Sequence, residues 1–411
     1  MIPSQRRPGW QYWEVADLLR DGTLEIGDGY RAKNSEMGRS GLPFARAGNL
    51  NEGFHFEEAD ILSEESVWLA GEKISKPGDI TFTSKGTFGR FAIVREDTTQ
   101  FVYSPQLCYW RVKREGVIDR TFLYYWIQGA DSMRQLNEVK GLTDMADYVS
   151  LTNQRKMWLS APPLPLQRKI SAILSAYDEL IKNGRRRIRI LEEMARALYR
   201  EWFVRFRFPG HEKIKRVDSA IGQIPQSWDV KHLGEIATIT MGLSPNGDTY
   251  NEVGDGTPLV NGPVEFAERF TKQVKWTTAP TKLCREGDLV VCVRGSTTGK
   301  YVKSDGVYCL GRGVCGLSSQ YQCFVDLLFA NELPILLAQT SGSTFPSWTG
   351  PQLKFHPVLS PPPELLARFE AMVQPLSAAV LGYSRRIQNL RRTRDLLLPR
   401  LLSGQVDLKT D

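Results

Sequence analysis

The 411 residues, with 53 Lys+Arg against 46 Asp+Glu and a formal net charge of +7, are enough chain for two or three domains with real cores. A hydrophobic content of 41% with 10% aromatics excludes a disordered chain, and the basic balance points to an anionic partner such as nucleic acid. The six cysteines form no C-x-x-C pair and only four histidines are present, so neither a disulfide framework nor a zinc cluster is expected.

In chain order, the N-terminal residues 1–7 have no apolar run behind them, so no secretory signal is expected. The most apolar stretch, residues 325–338, is broken by Asn331, Glu332 and Pro334 and is too short to cross a bilayer. The expectation is therefore reduced thiols, no membrane association and a cytoplasmic location. Residues 1–160 read as a β-rich globular domain, with alternating runs such as Asp79-Ile80-Thr81-Phe82-Thr83 as strands. A proline brake, Pro162-Pro163-Leu164-Pro165, then opens a helical segment.

That segment carries apolar residues at alternating steps of four and three: Ile170, Leu174, Tyr177, Ile181, Ile188, Leu191, Ala195, Leu198 and Trp202, interrupted only by Gly184. A 3.5-residue period places one narrow apolar stripe on a helix, as in a coiled-coil seam. The pattern returns 199 residues later as Phe369, Val373, Leu376, Val380, Tyr383, Ile387, Leu390, Leu397 and Leu401, with Arg394 as its one charged position. It follows a second brake, Pro361-Pro362-Pro363. Each helix is expected to run about 33 residues, or roughly 50 Å. One such stripe alone most often packs into a globular core, but two in register look like one unit used twice, each stripe burying the other.

Between the helices, residues 211–360 echo residues 1–160. Trp13-Glu14-Val15 resembles Trp228-Asp229-Val230, and Gly41-Leu42-Pro43-Phe44 resembles Gly256-Thr257-Pro258-Leu259. Lys76-Pro77-Gly78-Asp79-Ile80 is answered by Arg285-Glu286-Gly287-Asp288-Leu289, and the Gly turn 84–90 by 293–300. The domain order is thus 1–160 globular, 161–210 helical, 211–360 globular and 361–411 helical. The fold class expected is α+β, with two β-rich mixed domains separated by two long helices in an antiparallel coiled coil.

Several strings imitate catalytic motifs. Gly311-Arg312-Gly313-Val314-Cys315-Gly316 fits G-x-G-x-x-G, but no good helix opening follows and Asp326 comes too early for a ribose contact, so it reads as a turn. Gly295-Ser296-Thr297-Thr298-Gly299-Lys300 is one residue short of a phosphate loop and has Tyr301 where a magnesium-binding Ser or Thr belongs. Asp131 with Glu138-Val139-Lys140 is a loose nuclease-like grouping on a helical surface, and no Asn/Asp-Pro-Pro-aromatic string for amino-methyl transfer exists. No catalytic residue, metal site or cofactor is assigned to the chain.

The run from Pro162 to Ile170, the Arg185-Arg186-Arg187-Ile188 step and the stretch from Leu191 to Phe203 resemble the central conserved region of type I restriction–modification specificity subunits. Leu397-Leu398-Pro399-Arg400-Leu401-Leu402-Ser403-Gly404 resembles that family's C-terminal conserved region. The Gly-Asp-aliphatic steps with their Gly turns, and Ser341-Gly342-Ser343-Thr344-Phe345-Pro346-Ser347, resemble its target-recognition domains, with Gly141-Leu142-Thr143-Asp144-Met145 a looser counterpart in the first half.

The resemblance implies a non-catalytic subunit whose two recognition domains each read one half of a gapped double-stranded DNA target, with the helix pair setting the spacing. It implies modification subunits that methylate adenine with S-adenosylmethionine, and a restriction subunit that uses ATP and Mg. Those cofactors belong to the partners, not to this chain. The candidate DNA contacts are Lys85, Phe88 and Arg90 in the first half and Arg294, Thr297 and Lys300 in the second, each on a Gly turn where a basic or polar side chain meets phosphate or base edges. The competing reading is a coiled-coil scaffold carrying two β-rich modules with no DNA role. The charge map leaves the partner of the helices open: residues 161–215 carry +7 and 361–411 carry +3, whereas 1–160 and 216–360 carry −2 and −1.

Overall fold

The computed structural model describes residues 7–51, 53–85, 89–138, 149–219, 222–340, 346–406 and 408. The chain folds as two compact units, Met1–Lys182 with Ile387–Asp411, and Asn183–Arg386. The division falls inside both long helices rather than at their ends near residues 160, 210 and 360.

In the first unit, strand Gln11–Glu14 pairs antiparallel with Trp158–Ala161. A four-stranded sheet follows in the order Leu24–Asp28, Leu107–Val112, Ile80–Thr83, Phe91–Ile93. A second runs Met37–Gly38, Ile61–Ser63, Gly41–Ala45, Val102–Tyr103, its last pair parallel.

The second unit repeats this plan. Asp229–His232 pairs with Pro357–Ser360, and the first sheet runs Thr238–Met241, Val314–Ser318, Leu289–Cys292, Tyr301–Lys303. In the second sheet Thr257–Val260 again lies parallel to Tyr308–Leu310, and a fifth strand, Leu283–Cys284, is added at the edge.

The ladders correct one sequence match. Gln11 faces Ala161 and Asp229 faces Ser360, so the counterpart of Trp228 is Trp10, not Trp13. A single tryptophan beside a short strand does not fix register, whereas the backbone ladder does.

The other matches coincide with the topology. Gly41 (φ 137°) and Gly256 (φ 85°) open equivalent strands, and at both a Cβ would overlap the carbonyl oxygen of the adjacent strand, Leu62 or Thr277. Gly78 and Gly287 each have φ 90° and close equivalent turns, in which Asp79 and Asp288 accept the Lys76 and Arg285 amides at 2.8 and 2.7 Å.

The first unit carries a buried charge hub centred on Arg111. Arg111 reaches Asp79 through Nε at 2.6 Å and Nη2 at 2.8 Å, Glu25 at 3.0 Å, Glu72 at 3.1 Å and the Ile74 carbonyl at 3.3 Å. Its counterpart on the equivalent strand is Ser318.

The central helix spans Leu164–Tyr199, continued by a π turn over Arg200–Val204, and the C-terminal helix spans Pro363–Leu402. Both exceed the expected 33 residues. Ile170, Leu174, Ile181, Ile188, Trp202, Phe369, Val373, Val380, Ile387 and Leu401 are buried, and Tyr177, Leu191, Leu198, Leu376, Tyr383, Leu390 and Leu397 are half-buried.

Within the second unit the helices run antiparallel. Arg187 meets Tyr383 at 2.8 Å, and Tyr199, twelve residues on, lies 6.3 Å ring to ring from Phe369. The stripes also pack on the globular parts rather than on each other alone. Ile170, Leu174 and Leu401 share a core with Leu18, Phe122 and Trp126, and Trp202, Phe369 and Val373 share one with Trp228, Leu289 and Phe324. Continuity of those cores is why the compact units take half of each helix.

Candidate nucleic-acid interface

In each unit the ends of both sheets bring separate loops together. In the first, Ser84 donates its amide to the Gln106 carbonyl at 2.9 Å, Ser104 to Ala45 at 2.9 Å, and Ala47 to the Gln106 side chain at 3.0 Å. The Gly turn after Thr83, the Ser104–Gln106 turn and the Arg46–Asn49 loop therefore form one surface. In the second unit the equivalent bonds are Val293 to Gly313 at 2.9 Å and Gly311 to Val260 at 2.8 Å, joining the 294–300 loop, the 311–313 turn and Asn261. Such a backbone-fixed, loop-built end is where a rigid scaffold displays binding residues.

The candidate residues part company here. Lys85 is exposed at the exit of its strand. Arg90 is half-buried and turned inward, its guanidinium donating to the Ala47 carbonyl at 2.9 Å and the Leu50 carbonyl at 3.4 Å. It holds the neighbouring loop instead of pointing into solvent. Phe88, like the strings at 141–145 and 341–345 and residues 139 and 140, lies outside the described residues.

Arg294 and Lys300 are exposed, the former on a strand bridge with Ser347. Thr297 is half-buried beside Cys292, whose thiol burial pushes up to about 11. The Lys300 carbonyl accepts the Cys292 amide at 2.8 Å, as the Arg90 carbonyl accepts that of Thr83 at 3.1 Å, so the two turns are closed at equivalent strand ends.

The surface also includes basic residues that local patterns do not flag: Arg46, paired with Asp60 at 2.6 Å, and exposed Arg312. Arg312 lies inside the G-x-G-x-x-G string, whose sequel is the strand Val314–Ser318, not a helix. The 295–300 loop likewise leads into the strand Tyr301–Lys303. Neither has the helix N-terminus that a phosphate-binding loop requires. Among the described residues no group of three His, Cys, Asp or Glu is placed to hold a metal ion, and no helix is long and apolar enough to cross a membrane.

The helix charges are partly spent inside the units. Arg394 pairs with Asp178 at 2.6 Å, Lys182 with Asp97 at 2.7 Å and Arg385 with Glu286 at 3.0 Å, whereas Arg186, Arg189, Arg386 and Arg392 stay exposed.

Residues 10–193 match the family described as "Type I restriction modification DNA specificity domain". The chain is 26% identical to the putative type I restriction enzyme MjaX specificity subunit of Methanocaldococcus jannaschii, over 97% of this chain and 94% of that protein. It is 24% identical to the MjaIX specificity subunit of the same organism, over 84% and 81%. Its fold resembles the crystal structure of a type I restriction–modification S subunit from M. genitalium, with a TM-score of 0.63, 14% identity and 99% of each chain covered.

Proposed function

We propose that the chain is a type I restriction–modification specificity subunit, as its match to that DNA specificity domain over residues 10–193 and its similarity to specificity subunits support, and that each of its two units reads one half of a bipartite, gapped DNA sequence. The observation that carries this reading is the duplicated strand order, with backbone-fixed loops bearing basic residues at the same end of each unit. Lys85 with Arg46, and Arg294, Lys300 and Arg312, are the DNA-facing set. The paired helices set the gap, since a stripe of 3.5-residue period is stiff and each base pair displaced along B-DNA also rotates the face presented.

The chain performs no chemistry. Modification subunits would supply adenine methylation with S-adenosylmethionine, and a restriction subunit would supply ATP- and Mg-dependent cleavage. Exposed Arg186, Arg189, Arg386 and Arg392 on the helices are available to DNA phosphates or to acidic faces of those subunits.

Mapping methylated adenines in a host that expresses this chain with its modification subunits tests the reading. One gapped motif is expected. A methylome without one, or footprinting that shows no protected half-sites, would leave a scaffold role instead. Lengthening both helices by one matched heptad should change the gap and neither half-site.

A further inference from the structure

The Gly-Arg-Gly turn of the second unit is built more rigidly than a solvent loop requires. Leu310 donates its amide to the Lys282 carbonyl at 2.7 Å, Gly311 to Val260 at 2.8 Å and Val314 to Gly311 at 3.1 Å. The turn's carbonyls are held as well: Leu310 accepts from Leu243 at 2.9 Å, Gly313 from Val293 at 2.9 Å and Val314 from Gly242 at 3.0 Å. The Arg312 amide itself donates to the Ser244 hydroxyl at 3.2 Å.

Space is fixed as tightly as bonding. A Cβ on Gly311 would overlap the Asn261 side chain, one on Gly313 the Asn261 carbonyl oxygen, and one on Gly242 the Gly311 carbonyl oxygen. Backbone oxygens exclude a side chain at Gly313 and Gly242, and Gly311 carries none, so Arg312 is the side chain that leaves the Gly-Arg-Gly turn. It is exposed, and its guanidinium has no hydrogen-bond, ion-pair or ring partner among the described residues. In the first unit the equivalent turn is Ser104-Pro105-Gln106, which carries no charge.

Resting on the reading of this surface as a DNA interface, we infer that Arg312 reads a guanine in the major groove of the half-site bound by the second unit. A phosphate contact makes weaker demands on the mount than a base contact, because a guanidinium can fork onto phosphate oxygens from many approaches along the backbone, whereas a base edge is met from one. A bidentate fork on guanine O6 and N7 depends on orientation and loses less freedom when its mount is already ordered. The difference at this turn also gives the two units unlike codes on one scaffold.

The test uses the complex of this chain with its modification subunits, comparing wild type with Arg312→Ala and Arg312→Lys by methylome mapping and by DNA-binding titrations across salt. Both variants should keep the gap and the other half-site. Both should lose discrimination at one G·C pair by about 10- to 100-fold, with Arg312→Lys retaining more affinity. Unchanged motifs, or a half-site with no G·C pair, overturn the inference. So does a loss that is equal for all sequences with a salt slope reduced by about one, which marks a phosphate contact. A wild-type complex with no gapped motif instead refutes the DNA-reading function itself, so the two failures are distinct. Because Arg312 is exposed, an unchanged melting temperature shows that the variants are folded.

Discussion

Arg394 of the C-terminal helix meets Asp178 of the central helix at 2.6 Å, with 30% and 15% of the two side chains exposed. The same carboxylate accepts the Tyr125 hydroxyl at 2.6 Å. The one charged position in the C-terminal stripe is therefore answered by a charge on the facing helix within the first unit. Asp178→Ala leaves the half-buried guanidinium with only the exposed Asp395 as counter-charge and removes the acceptor of the Tyr125 hydroxyl, and should lower stability by about 1–3 kcal/mol. Arg394→Leu continues the apolar stripe but strands the more buried Asp178 carboxylate, so it should cost at least as much, and the double variant Asp178→Ala with Arg394→Leu should cost less than the sum of the two. Denaturant midpoints check both, and a wild-type midpoint for Asp178→Ala would refute the pairing role.

Arg90 and Lys85 should separate stability from binding. Arg90→Ala removes the guanidinium that ties the Ala47 and Leu50 carbonyls together, the former keeping only the Leu50 amide at 3.3 Å, and should cost about 1–2 kcal/mol. Lys85→Ala, at an exposed position, should stay within about 0.5 kcal/mol of wild type while lowering the salt slope of DNA binding by about one. Calorimetry paired with salt titrations would show the reverse assignment if Arg90 were the outward contact.

Gly41→Ala and Gly256→Ala should each destabilise the chain by about 1–3 kcal/mol, combining an unfavourable positive φ with overlap on the neighbouring strand. Alanine at Gly48, where a Cβ meets nothing within 4 Å, is the control and should leave the melting temperature nearly unchanged.

Alkaline pH should weaken the fold. Burial pushes the Cys292 thiol up to about 11 and those of Cys315 and Cys323 up to about 12. Unfolded thiols ionise near ~8.5. Below that value the contribution is fully present. As pH rises towards the folded values the unfolded chain releases protons that the folded one keeps, and stability falls by up to about 1.4 kcal/mol per pH unit per thiol. Unfolding midpoints at pH 8 and 10.5 measure this, and replacing all three cysteines with alanine should flatten the slope.

The helices were legible in sequence because ten positions at a fixed period overdetermine a stripe, so Ile170, Leu174, Phe369 and Val373 could be named without coordinates. Turns fixed by glycine and aspartate, at 76–79 and 285–288, were legible for the same local reason. Register at Trp10 and Trp228 was not, because it is set by strands that lie about 130–150 residues away in sequence. Arg312 sits in a G-x-G-x-x-G string that sequence reads only as a turn. Only the meeting of residues 242–244, 261 and 293 around it gives it a different meaning, and no window of sequence contains them all.

The Arg111 hub bears on how such a duplicated chain can change. Asp79 is fully buried beneath an arginine that the second unit replaces with Ser318. Grafting the strand Val314–Ser318 into the place of Leu107–Val112 would strand a carboxylate without a counter-charge, at a cost of several kcal/mol. The two copies have thus drifted past the point where single strands are interchangeable. Recombination between them, or between relatives, is viable only when a strand travels together with the turn and strap whose charges it satisfies.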